Sequence, residues 1–256
     1  MKTIISHFYN EEYLLPWWLN HHKQMFDHGI MIDYQSTDRS REIIKSICPN
    51  WTILDSRNKE FEAAEVDKEV EDLEKDIKGW RMVLNITEFL IGDMSILDNK
   101  EEEDLYVESM TMIDHPSQEF VEPDPNKSLL SQRTYGFYPQ WHSHNREETK
   151  WIYRHLRKLT KVSKPYKYMG RHYLYAEEKW TEDFLIACYY YSPYTNAGVK
   201  RKLQIQDKMC AFDKKEGRGI QHLMDETELN FRLKTGQKFI KDLYPVYEEK
   251  VKKYLY

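Results

Sequence analysis

Over its first 90 residues the chain alternates short apolar runs with amphipathic stretches, a strand and helix rhythm that few folds accommodate. Thr3-Ile4-Ile5-Ser6-His7-Phe8 is a β-branched run leading to Asn10, a residue suited to capping a helix, and Glu11 and Glu12 suit the positive end of that helix. Pro16 either sits in the first turn of a helix starting near Leu15 or kinks it. Ile30-Met31-Ile32-Asp33 predicts a second strand ending on a carboxylate, Trp51-Thr52-Ile53-Leu54 a third and Trp80-Arg81-Met82-Val83-Leu84 a fourth. Between them, Ile43, Ile44 and Ile47 follow the cap-rich Ser36-Thr37-Asp38-Arg39-Ser40. Val66, Val70, Leu73 and Ile77 then share one helical face before Gly79. Such alternation predicts an α/β chain whose central, mostly parallel Rossmann-type sheet has right-handed crossovers and flanking helices. Ligands of these sheets bind outside the carboxyl ends of the strands, here Tyr9-Asn10-Glu11, Asp33-Tyr34-Gln35-Ser36 and Asn85-Ile86-Thr87-Glu88.

No Gly/Ser linker, repeat or low-complexity tract divides the 256 residues, so one domain is expected over 1–256. The longest apolar run, residues 184–191, is far short of the ~20 residues that cross a bilayer, so no transmembrane segment is expected. Met1-Lys2-Thr3 leads straight into a strand rather than a signal peptide, and Cys48, Cys188 and Cys210 fit buried thiols of a reducing compartment. A cytoplasmic location is the resulting expectation. The formal charge of −5 counts against nucleic acid as a partner. Nineteen tyrosines against nine glycines supply either stacking surfaces or a Tyr-rich core.

Phe8-Tyr9-Asn10-Glu11-Glu12-Tyr13-Leu14, followed by Ile32-Asp33-Tyr34-Gln35-Ser36-Thr37-Asp38-Arg39-Ser40, resembles the opening of family-two-type glycosyltransferases with the GT-A fold. Residues 80–90, WRMVLNITEFL, are similar to the stretch carrying two aspartates that follows in that family. The resemblance covers the first ~92 residues. It implies a GT-A-like sheet, with residues to about 95 forming a nucleotide-sugar-binding half and 96–256 an acceptor-binding half. By the same resemblance Phe8, Tyr9 and Glu11 lie near the base, Asp33 near base or ribose, and the 85–88 loop near the diphosphate. Asn10, Ser36 and Asp38 join them in the donor-binding set. The implied activity is transfer of a sugar from a nucleoside-diphosphate sugar to a glycan or other hydroxyl acceptor.

Where the family carries two metal-binding aspartates, this chain has Asn85 and Thr87, and only Glu88 keeps a charge. An amide and a hydroxyl are weak ligands for Mn²⁺ or Mg²⁺, which prefer anionic oxygens. Three arrangements remain open: Glu88 with a further ligand such as His222 holds the metal, basic residues neutralise the diphosphate without one, or catalysis is lost and a nucleotide-sugar or glycan-binding protein remains. Lys200, Arg201 and Lys202 beside Gly198 are the basic candidates, with Lys214, Lys215 and Arg218 around Gly217 and Gly219 as a second cluster. For the base that deprotonates an acceptor, Glu182-Asp183 resembles the family's acidic pair, although the residues alone read first as two acids starting a helix; Asp114 beside His115 is a second candidate. Residues 146–171 hold nine Lys or Arg against two Glu, interleaved with Trp151, Tyr153, Tyr166 and Tyr168, the one segment suited to nucleic acid. His21 and His22, being adjacent, are expected on different helix faces.

Overall fold

The computed structural model describes residues 1–101, 104–138, 156–162, 165–166, 170–171, 179–219 and 222–256. In chain order the elements are β1 (Lys2–Phe8), α1 (Leu15–His22), β2 (His28–Asp33), α2 (Ser40–Ile47), β3 (Thr52–Asp55), α3 (Ala63–Glu74), β4 (Trp80–Val83), β5 (Glu88–Ile91), β6 (Asp104–Ile113), α4 (Leu129–Gln132), β7 (Tyr135–Phe137), β8 (Leu156–Thr160), β9 (Trp180–Tyr191), α5 (Asn196–Leu203), α6 (Ala211–Lys215), α7 (Glu226–Gln237), β10 (Lys241–Asp242) and α8 (Tyr244–Val251). The fold is mixed α/β, a central sheet flanked by helices. Its main path runs β10-β7-β6-β8-β4-β1-β2-β3, and β9 joins β6 to β5. The four strands expected from the N-terminal rhythm, β4-β1-β2-β3, are all parallel. Beyond them β8 and β7 run antiparallel to their neighbours, while β9 runs parallel to β6.

The N-terminal sheet is covered on both faces because its strands alternate. Ile4, Phe8, Met31 and Met82 pack with Trp18, Leu19 and Ile44 of α1 and α2. Ile5, Ile32 and Val83 pack with Val66 and Val70 of α3. Pro16 sits in the first turn of α1, where its missing N–H costs nothing. Asn10 does not cap that helix; it takes a left-handed conformation (φ 50°) and bonds elsewhere. α3 starts and ends three residues earlier than the 66–77 periodicity suggests, because Ala63 to Glu65 extend it at no cost to the buried stripe. A further expectation fails because a strand forms where local pattern suggested otherwise: Glu182 and Asp183 lie in β9, not at a helix start. Asp104 is buried in β6 against Lys158 and Thr160. The chain closes with β10 and α8.

His21 and His22 also depart from expectation, since both reach Leu90 of β5. His21 Nε2 donates to the Leu90 carbonyl at 2.6 Å, and the Leu90 N–H donates to His22 Nε2 at 3.2 Å. His22 Nδ1 donates to the Trp18 carbonyl at 2.9 Å, and the Trp18 indole N–H donates to the Glu88 carbonyl at 2.9 Å. Helix α1 thereby takes over backbone bonding that β5 would otherwise need from another strand. Among the described residues no helix is long and apolar enough to cross a membrane.

Burial lowers the His21 imidazole to about 4, against the pull of the Leu90 carbonyl. The unfolded chain, with an ordinary value near 6.5, therefore binds an extra proton between those limits, and this site's contribution to stability is lost as pH falls through that window. In His21→Gln the slope of unfolding free energy against pH between 6.5 and 4.5 should drop by close to one proton. An unchanged slope would contradict the neutral, buried assignment.

Candidate functional site

The two motif segments after β1 and β2 form one interlocked unit. The Asn10 N–H donates to Ser36 Oγ at 3.0 Å, and Asn10 Oδ1 accepts from the N–H groups of Thr37 (2.8 Å) and Asp38 (3.3 Å). The Glu11 N–H donates to Ser40 Oγ at 2.8 Å and that of Glu12 to Asp38 Oδ2 at 3.0 Å. Asn10, Ser36 and Asp38 thus build the shelf at the carboxyl end of the sheet. Asp33 is 1% exposed, accepting from the Ser36 N–H at 2.9 Å and pairing with Arg41 at 2.7 Å. Phe8 is 2% exposed and packs in the core with Ile4, on the α1 face, so its side chain is withdrawn from the shelf. Tyr9, on the other face, stands half-buried under Lys208, whose Nζ lies 4.7 Å from the ring centre.

Helix α5 brings its basic run over this shelf. Thr195 caps its N-terminus, and Gly198 lies where a Cβ would meet the Pro193 carbonyl oxygen at 2.1 Å. Arg201 Nη1 donates to both Glu11 oxygens, at 3.0 and 3.1 Å, and Gln204 Nε2 to the Asn10 carbonyl at 2.5 Å. Lys202, 8% exposed, faces the rings of Tyr190 (5.5 Å) and Tyr191 (5.8 Å); among the described residues no carboxylate lies within ion-pair distance of it. Burial, with Arg201 and Arg232 beside it, brings its ammonium down to about 7 against the opposite pull of Glu11. Lys200 is exposed. His222 belongs to this cluster: burial and the charges of Lys202 and Arg201 lower its imidazole to about 3. Its ring lies 6.3 Å from Phe61, and Phe61 lies 5.7 Å from His7. Backbone bonds from Phe61 to Lys208 (2.6 Å) and from Cys210 to Phe61 (3.1 Å) hold that wall together.

The turn from β4 to β5 is the most tightly bonded part of the site. Glu88 is fully buried and receives Arg157 in a two-pronged pair, Nε to Oε2 at 2.9 Å and Nη2 to Oε1 at 2.7 Å. Tyr190 Oη donates to Oε1 at 2.9 Å and the Asn85 N–H to Oε2 at 2.8 Å. Thr87 is buried, its hydroxyl without a partner. This donor set does not fit a divalent cation: the one carboxylate is taken up by a guanidinium, and its companions are an amide and a buried hydroxyl. Among the described residues, no three His, Cys, Asp or Glu form a group that could hold a metal ion.

The two candidate bases are elsewhere engaged. Asp114 accepts from Ser192 Oγ and from the Tyr194 N–H (2.7 Å), with Arg133 at 3.4 Å, and burial raises its carboxyl. Asp183 pairs with Lys100 at 3.0 Å, a contact that lowers its carboxyl. It is five residues, or roughly 17 Å, along β9 from Cys188, the residue opposite Glu88, so the fold does not bring it to the shelf. Of the basic 146–171 segment, Arg157, Lys158 and Arg171 are buried and ion-paired; Trp151, Tyr153 and Tyr168 lie outside the described residues. His7, Phe61, Arg157 and Tyr190 are the site residues that sequence reasoning missed. Only His7 carried a local signal, as a polar residue inside an apolar strand.

Removing one partner of a buried pair leaves the other charge uncompensated, at about 3–5 kcal/mol. Glu88→Gln should therefore melt about 10 °C or more below the parent by calorimetry. The double replacement Glu88→Leu with Arg157→Met should recover most of that loss. A Glu88→Gln protein melting with the parent would contradict the pair.

No protein-family model and no curated protein sequence matches the chain. Remote likeness to solved structures is illustrated by three of them. S. aureus TarS 1–349 superposes over 98% of this chain and 73% of its own, at TM-score 0.40 and 11% identity. TarS 1–349 in complex with UDP superposes over 49% of this chain at TM-score 0.35 and 16% identity, so the chain spans 40% of that protein's length. Glucosyl-3-phosphoglycerate synthase from Mycobacterium tuberculosis, in complex with Mn²⁺, UDP and glucosyl-3-phosphoglycerate, superposes over 43% of this chain and 44% of its own at TM-score 0.32 and 10% identity.

Proposed function

We propose that this chain is a glycosyltransferase that binds a nucleoside-diphosphate sugar on the shelf and holds the diphosphate with protein cations rather than a metal. The observation that carries this reading is Lys202, a buried ammonium with no carboxylate within ion-pair distance among the described residues, between Arg201 and two tyrosine rings at the strand ends. Like charges crowded together in a poorly solvated place are costly until an anion arrives, which is the electrostatic character of a polyanion site.

In this reading Tyr9 stacks on the base, and Asp33 and Glu11 lie around base and ribose. The diphosphate sits between α5 and the β4–β5 turn. Transfer breaks the bond from the anomeric carbon to the phosphate oxygen and forms one to a hydroxyl oxygen of a glycan or similar acceptor, whose proton is released. Negative charge grows on the departing diphosphate, and Lys202 and Arg201 are fixed where they stabilise it without rearrangement.

Incubation with a panel of UDP, GDP, ADP and dTDP sugars should give transfer or slow donor hydrolysis that survives EDTA. Lys202→Met should lower kcat/KM by about 10²-fold. Because the free Lys202 titrates near 7 and a bound diphosphate favours its charged form, donor affinity should fall as pH rises from 7 to 9 in the parent and stay flat in Lys202→Met. Binding without turnover would mark a nucleotide-sugar-binding protein instead, and turnover abolished by EDTA would overturn the metal-free reading.

A further inference from the structure

β8 runs antiparallel to both β4 and β6, and β9 runs parallel to β6, so β6 and β9 bring their carboxyl ends to the same edge of the sheet as β1, β2 and β4. That is the edge where such sheets bind ligands. The segments leaving β1, β6 and β9 meet there at one phenol. Tyr13 Oη donates to Glu122 Oε2 at 2.8 Å and lies 2.8 Å from Thr195 Oγ1, which accepts from the Gly198 N–H at 3.1 Å in capping α5. Because the phenol proton goes to Glu122, the Thr195 hydroxyl donates to Tyr13. Glu11, just before Tyr13 in the same segment, pairs with Arg201, and Lys202 lies roughly 10 Å along α5 from Thr195. Glu122 is thereby tied to the helix that carries the basic residues of the shelf.

Asp114, at the root of the segment after β6, is buried and bonded through both oxygens. Glu122, farther along, is exposed, and among the described residues Tyr13 is its one hydrogen-bond partner, through Oε2, so Oε1 is left to accept. Close by, Phe120 is 59% exposed and takes a left-handed backbone conformation (φ 59°). A bulky residue keeps that costly conformation only where its surroundings impose it, and such positions concentrate at ligand sites. The surroundings here are specific. The Phe120 N–H donates to the Tyr194 carbonyl at 2.8 Å, and the ring meets Tyr194 edge-on at 5.5 Å. Lys234 holds Glu119 at 2.6 Å, and the Trp17 indole N–H donates to the Asp124 carbonyl at 3.3 Å. The segment is fixed on both sides of an aromatic ring and a carboxylate that both reach solvent. A pyranose matches that pair, its C–H face against the ring and its hydroxyls toward the carboxylate. Glu119, Glu122 and Asp124 make the segment acidic, which favours a neutral sugar over an anionic one.

We propose that Glu122 is the base of the transfer and that Phe120 is the platform for a neutral pyranose acceptor. This rests on the glycosyltransferase reading above. The acceptor hydroxyl gives its proton to Glu122 as its oxygen bonds to the anomeric carbon. The bond from that carbon to the phosphate oxygen breaks, its electron pair leaves on the diphosphate, and Glu122 passes the proton to water. Tyr13 is a positioning residue that holds the carboxylate through Oε2.

The test uses the whole chain, the nucleotide sugar that it binds by isothermal titration, and the methyl glycosides of glucose, galactose, N-acetylglucosamine and glucuronate as acceptors. Glu122→Gln should bind the donor with the parent's Kd and melt with the parent, while transfer and donor hydrolysis both slow by about 10²-fold or more. Added formate should restore part of the rate to Glu122→Ala, a response that a merely structural carboxylate would not give. Phe120→Ala should raise the KM of a neutral glycoside about fivefold at unchanged kcat. A parent that binds no nucleotide sugar, or binds one without turnover, overturns the underlying reading. Turnover in Glu122→Gln at the parent's rate overturns the base alone. Hydrolysis with transfer to no neutral glycoside, or an unchanged KM in Phe120→Ala, overturns the platform.

Discussion

The buried pair of Glu88 and Arg157 is the contact on which the rest of this structure depends. It joins the β4–β5 turn to β8, and through Tyr190 and Gly170 to β9 and the segment that carries Arg171. A fully buried carboxylate is tolerated only when its oxygens are satisfied, and Glu88 meets that condition with a guanidinium, a phenol and a backbone N–H. The Trp18 indole bonds the same turn from the opposite side through the carbonyls of Glu88 and Asn85. The turn is therefore rigid, and the strand ends around it inherit its position.

That pair also sets the electrostatics of the shelf. Because Glu88 is spent on Arg157 and Glu11 on Arg201, the carboxylates that enter the cluster cancel arginines rather than attract a cation. Arg232 is likewise paired with Glu228, which leaves Lys202 beside the neutral imidazole of His222. In the proposed reading, the diphosphate relieves the crowding of Lys202 with its cationic neighbours on binding. Asn85 and Thr87, weak ligands on composition alone, are consistent with it: they line a turn whose one charge is already answered within the protein.

Much of the N-terminal half was legible from periodicity, because β1 to β4 and α1 to α3 are short-range patterns whose two apolar faces alternate along the sequence. The motif segments containing Asn10 and Ser36 were legible as a pair, but not the reason for it, which is that they hydrogen-bond to one another across 26 residues. What stayed hidden depends on longer reach. Arg157 lies 69 residues from Glu88, inside a basic run whose composition suggested an exposed surface. Asp183 read as an acid at a helix start because a two-residue acidic pair carries no information about whether its segment pairs with β5 and β6. His7 lay in plain view within a strand, yet its orphaned nitrogen appears only once Tyr34 and Phe61 close over it.

The most direct measurement is a crystal of the protein soaked with a bound nucleoside diphosphate and Mn²⁺, with anomalous scattering recorded for manganese. The account predicts phosphate oxygens within hydrogen-bond distance of Lys202, Arg157 still paired with Glu88, and no anomalous peak at the β4–β5 turn. A manganese ion coordinated by Glu88, with Arg157 displaced, would contradict it.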